Sequence, residues 1–174
     1  MIDAQPIVDF GTPLVRLGAA ALIGGAVGLN REFHDKPAGL RTHAMVCLGA
    51  ALASYLSIEV TASGQIADMS AFTRVIQGIL TGIGFLGAGV IFREESGKHV
   101  QGLTTAATIW VVACLGVGCG AGRWHSVSVA VGLAFVVLVL GGPVERTAER
   151  LRKKYGLGQP PATPEGRPDD AAAP

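Results

Sequence analysis

Seven residues on two polar connections could together recognise an anion: Arg31, Glu32, Arg41 and His43 on the first, and Arg93, Lys98 and His99 on the second. Guanidinium and ammonium groups gathered in this way hold phosphate, free or on a lipid headgroup, through charge-assisted hydrogen bonds. The same basic residues also serve as orientation signals in membrane proteins. A second group, Arg16, Glu59, Asp68 and Arg74, balances two cations against two acids. Such a set either neutralises itself at a membrane edge or holds a polar ligand.

Other chemistry is poorly supplied. His34, His43 and His99 match no metal-ligand spacing, so no metal is expected. The three cysteines, Cys47, Cys114 and Cys119, lie in apolar runs, and the last two are spaced so that a helix turns them apart. Neither a disulfide frame nor a zinc site follows. There is no serine, histidine and acid set, no pair of carboxylates and no phosphate loop, so an enzyme is not expected. The letters Gly82-x-Gly84-x-x-Gly87 spell a dinucleotide fingerprint, but Thr104 stands where its ribose-binding acid belongs, and the motif lies inside an apolar run. No cofactor is expected.

That run is residues 75–92, VIQGILTGIGFLGAGVIF, eighteen residues without a charge. A helix of roughly 20 apolar residues crosses a hydrocarbon layer of about 30 Å. Its glycines, Gly78, Gly82, Gly84, Gly87 and Gly89, remove bulk so that another backbone can come close, and Gly78 and Gly82 have the GxxxG spacing. Here the chain is expected to be organised. Composition agrees with a membrane class: hydrophobic residues are 49%, charged residues 16%, and 25 of the 174 residues are glycine, with a mean hydropathy of +0.45. A net charge of +1 offers no global field for nucleic acid.

The first residues, MIDAQPIVDF, lack the basic start and apolar centre of a cleaved signal peptide. Thr12-Pro13 reads as a cap followed by proline at the first helical position. Five spans are expected, at about 13–29, 43–60, 75–92, 102–120 and 125–142. Gly24 and Gly28, and again Gly116 and Gly120, repeat the GxxxG spacing and are assigned to helix packing with Gly78, Gly82, Gly84 and Gly87. Thr105 and Thr108 can bond back to their helix or across to a neighbour. Residues 1–142 therefore form one all-α, five-helix transmembrane bundle. Residues 143–155 form a basic surface helix with Val144, Ala148, Leu151 and Tyr155 on one face, held to anionic lipid, and residues 156–174 a disordered tail. If the N-terminus is outside, the inside carries Arg31, Lys36, Arg41, Arg93, Lys98 and the basic tail helix, and the outside only Arg16, Arg74 and Arg123. Basic segments resist translocation, so the C-terminus is expected in the cytoplasm.

Three motifs in order, GGAVGLNREFHDKPAGLR at 24–41, GIGFLGAGVIF at 82–92 and GLTTAATIWVVA at 102–113, resemble the MgtC/SapB family of bacterial membrane proteins. The resemblance covers about residues 14–140. It implies a five-span inner-membrane protein linked to growth in low magnesium, to survival inside host cells and to modulation of the F-type ATP synthase. Asn30 stands where many relatives are expected to carry an acid, and the soluble C-terminal domain of the longer members has no room in this chain.

A magnesium path needs oxygen ligands, usually carboxylates. The acids Glu32, Asp35, Glu59, Asp68, Glu94 and Glu95 all fall at the rims of the expected spans, and the charges nearest the core, Arg16 and Arg74, have the wrong sign. A regulatory protein acting by contact with another membrane protein or with itself is therefore the leading expectation, and a small magnesium or other ion transporter the alternative. Its partners would be membrane lipid and a second copy or another membrane protein, with the ATP synthase suggested by the resemblance alone and no nucleic acid.

Overall fold

The computed structural model describes residues 10–62, 69–93 and 100–155. The chain divides into two compact units, Met1–Phe135 and Val136–Pro174. In order, the elements are α1 (Gly11–Glu32), α2 (Leu40–Ala62), α3 (Met69–Val90), β1 (Phe92–Arg93), β2 (Val100–Gln101), α4 (Leu103–Gly120) and α5 (Trp124–Tyr155). All five helices contain a window long and apolar enough to cross a membrane. The chain is an all-α, multi-pass membrane protein.

Helix ends depart from the sequence expectations for local reasons. α1 begins at Gly11 with Phe10 as its N-cap, so Thr12 is already helical and Pro13 sits within the first turn. Proline is tolerated there because the first N–H groups have no acceptor inside the helix anyway. α1 also runs past Leu29 to Glu32, which brings Arg31 into its last turn. The connection reverses through Asp35 and Ala38, both with positive φ, and Glu32 Oε2 accepts the Leu40 backbone N–H at 3.1 Å to open α2. His43 therefore belongs to the first turn of α2 rather than beginning a span.

α3 starts at Met69, ahead of the expected boundary, and takes in Arg74. It stops at Val90, where a small antiparallel hairpin pairs Phe92 with Gln101 and Arg93 with Val100. Gly102 then turns the chain into α4 with φ +88°, and a Cβ at this position would strike the Val90 carbonyl. Only glycine meets both demands. α4 ends with Gly122 in the left-handed region: the N–H of Gly122 bonds the Cys119 carbonyl at 3.0 Å and that of Arg123 bonds the Gly118 carbonyl at 2.9 Å. This is the Schellman arrangement, and it satisfies carbonyls that the helix itself leaves open.

The packing centre also differs from expectation. Half of the α4 span is buried, against 6% of the α3 span. α4 is the most buried of the spans, and α2 receives close glycine contacts from both α1 and α4, while most glycines of α3 face open space. Gly24 and Gly28 of α1 bring the α2 backbone near His43 and Leu40 so close that a Cβ would lie 2.5 Å from the His43 carbonyl oxygen and 2.7 Å from the Gly39 one. Gly116 and Gly120 do the same against the Cys47 and Ala51 carbonyls. Gly87 has room for a Cβ, which would lie 3.6 Å from that of Ala106, whereas Gly78, Gly82 and Gly84 meet nothing within 4 Å. Small residues let backbones approach in lipid, where dispersion between helices replaces the hydrophobic drive.

At the start of α5, Val127 is buried and its Cγ2 would lie 2.6 Å from a Cβ on Gly118. The expected break between a fifth span and a surface helix is absent: Pro143 lies inside α5 and the helix continues to Tyr155. Proline removes one backbone bond without ending a helix at such a place, and the Thr147 hydroxyl donates to the Pro143 carbonyl at 2.8 Å. In the second unit Val144, Leu151 and Tyr155 are exposed. The tail at 156–174 lies outside the described residues.

Candidate functional site

The polar groups of the bundle collect at its two ends, and α4 contributes to both. At the end carrying the first loop, α1, α2 and α4 enclose Arg31, His43, Thr105 and Thr108, all buried. Arg31 Nη2 donates to Thr105 Oγ1 at 2.8 Å. The Thr108 hydroxyl donates back to the Thr105 carbonyl at 2.9 Å and stands 3.1 Å from His43 Nε2. His43 Nδ1 lies 3.0 Å from the Gly39 carbonyl oxygen, which can only accept, so Nδ1 carries a proton. With the ring neutral, Nε2 accepts, and the single Thr108 proton is shared between that nitrogen and the Thr105 carbonyl.

Arg31 is less well satisfied. It is 6% exposed, the one side-chain hydrogen bond it makes among the described residues goes to a neutral hydroxyl, and its Nε is sealed from solvent with no partner there. Glu32, its neighbour in sequence, turns instead to the Leu40 N–H. Glu32 and Arg41, with Asp35 and Lys36, line an open groove of about 660 Å³ beside this network. The structure thus joins Arg31 and His43 in one network and leaves Glu32 and Arg41 in the groove. The side chain of Arg93 and all of Lys98 and His99 lie outside the description.

At the other end, Arg16 Nη1 donates to the Gly120 carbonyl at 2.8 Å, and its guanidinium carbon lies 5.5 Å from the Tyr55 ring centre. The Tyr55 hydroxyl donates to Glu59 Oε1 at 2.6 Å. Arg16 and Glu59 therefore meet through an aromatic ring. Arg74 bonds Ser70 Oγ at 2.7 Å on its own helix, and Asp68 lies outside the described residues. Sequence reasoning missed Tyr55; the signal was its i, i+4 spacing to Glu59 on a helix. It also missed Ser54, whose hydroxyl donates to the Val117 carbonyl at 3.0 Å. No group of three or more histidine, cysteine or acidic residues that could hold a metal occurs among the described residues.

A family profile described as MgtC family matches residues 17–147. Protein SrpB of Synechococcus elongatus is 41% identical over 133 residues, covering 73% of this chain and 72% of that protein. Protein MgtC of Brucella abortus is 42% identical over 144 residues, 83% of this chain and 57% of its own length. Protein MgtC of Salmonella typhimurium is 37% identical over 142 residues, 80% of this chain and 55% of its own. The chain thus spans little more than half the length of these MgtC relatives. No solved structure matches.

Proposed function

The chain belongs to the MgtC family, and from that premise we propose that it is an inner-membrane regulator acting by contact with a second copy or with another membrane protein. The observation that carries this is the face of α3. Gly78, Gly82 and Gly89, which the helical repeat puts on one side, have nothing within 4 Å, and Gly78 and Gly82 border an apolar groove of about 390 Å³ between α2 and α3 lined also by Met45, Gly49, Ile79 and Leu86. A row of glycines that the chain does not use for its own packing is a surface on which another helix can lie closely. Catalysis has no part in this role. A role in adaptation to low magnesium, with the ATP synthase as a partner, is the form of this proposal that the resemblance suggests.

Ion transport is the poorer fit. Among the described acids Glu32, Asp35 and Glu59 are exposed, and the buried charge, Arg31, is a cation. A dedicated magnesium passage would place oxygen ligands, usually carboxylates, inside the bundle. The basic residues on the first loop orient that loop toward the cytoplasm and the N-terminus toward the periplasm.

Gly82→Leu tests the contact reading, because the open face admits the side chain without disturbing the fold. Cross-linking in intact membranes followed by mass identification should recover a stoichiometric partner, or a second copy, with the parent chain and lose it with the variant. Equal recovery by both, or magnesium flux into liposomes above empty vesicles, would overturn the proposal.

A further inference from the structure

The two poles of α4 are met by arginine in opposite electrostatic senses. Arg16 donates to the Gly120 carbonyl at the C-terminal pole, where the helix dipole favours a cation. Arg31 stands at the other pole, bonded to Thr105 in the first turn, where the dipole favours an anion. No side chain caps that turn, and its N-cap is Gly102. Arg31 is also 94% withdrawn from solvent, being 6% exposed, with Nε unpartnered. An uncapped helix N-terminus and a buried guanidinium fork with donors to spare both call for negative charge, and the described chain brings none to them.

We propose that this end of the bundle binds a phosphate group, with the first-turn N–H groups of α4 and the Arg31 guanidinium as its donors. Approach is from the side where Leu103 and Thr104 are exposed, and Thr105 is the positioning residue that holds the guanidinium against α4. Phosphate suits the site because a helix N-terminus offers several N–H groups to one tetrahedral anion and an arginine fork engages two of its oxygens at once. Arg31 and Leu103 lie at the ends of their membrane-spanning helices, which is the depth of lipid headgroups. The phosphate is therefore either that of an anionic lipid or a free ion, and the donors are the same for both. This site is independent of the α3 face.

The test uses the 174-residue chain in nanodiscs of zwitterionic lipid. One arm adds phosphatidylglycerol and counts retained lipid by native mass spectrometry; the other titrates inorganic phosphate and follows thermal unfolding. Retained lipid in the first arm identifies a headgroup, and stabilisation by phosphate in the second a free ion. In either case Arg31→Gln should weaken binding about tenfold or more, and Arg41→Gln, on the exposed rim, by less than about twofold. Should Arg31→Gln fail to fold, Arg31→Lys keeps the charge without the fork and should bind several-fold more weakly. Binding of neither probe, which would leave the counter-charge to a protein partner, overturns the proposal, as does equal binding by the parent chain and the Arg31 variants.

Discussion

Arg16 reaches across from α1 to the Gly120 carbonyl at 2.8 Å, and so supplies from another helix a donor to the C-terminus of α4. The same guanidinium lies over Tyr55 of α2, which makes this one side chain the common contact of three helices. Arg16→Gln should lower stability by about 1–2 kcal/mol, the loss of a charge-assisted bond together with a cation–π contact. Denaturation in detergent followed by circular dichroism measures it. No change would show that water or lipid phosphate replaces the contact.

Glycines that look equivalent in sequence are expected to separate on substitution. Gly116→Leu and Gly120→Leu drive a side chain into the α2 backbone at Cys47 and Ala51 and should cost about 3 kcal/mol or prevent folding, as overpacking does. Gly82→Leu, with open space around it, should stay within about 0.5 kcal/mol. Midpoints of unfolding and elution profiles decide. A comparable loss at all three positions would contradict the close seating of α4 on α2.

The two glycines with positive φ make a graded pair. Gly122→Ala forces a Cβ into the left-handed region at φ +67° and should cost about 1–2 kcal/mol. Gly102→Ala adds a collision with the Val90 carbonyl, so its loss should exceed that of Gly122→Ala, again by detergent denaturation. The reverse order would show that the hairpin yields more easily than the end of α4.

Thr108 is the hydroxyl on which His43 depends. Thr108→Val keeps the shape but leaves His43 Nε2 buried without its partner and should cost about 1 kcal/mol, near the upper part of the range for polar contacts between membrane helices. Thr104→Val, at an exposed position, should cost nothing measurable. Equal effects would mean that the threonines act through helix propensity rather than through the ring.

Much of the fold was legible because lipid is a demanding solvent. Each span needs about 20 apolar residues, and the runs that meet this condition could be counted directly, as could the GxxxG spacings that turned out to seat α1 and α4 on α2. What was misplaced depended on partners. The importance given to α3 came from its glycine content, yet spacing cannot say whether a glycine meets a backbone or open space. Pro143 looked like a helix end because local propensity disfavours it, whereas the helix runs through it. Of the site, Arg31 and His43 could be named as polar residues near one loop, but their link through Thr105 and Thr108 joins positions about 65 to 74 apart in sequence.

The sequence by itself determined the number and approximate places of the apolar helices, the surplus of basic residues on alternate loops and the family, since each of these is a property of composition and order along the chain. The tertiary structure alone decided that α4 is the most buried span, that Arg16 complements one of its poles while Arg31 stands buried at the other, and that most glycines of α3 are left open. Those outcomes depend on which helix faces come together in space, and a repeat along one helix fixes a face without fixing what that face meets.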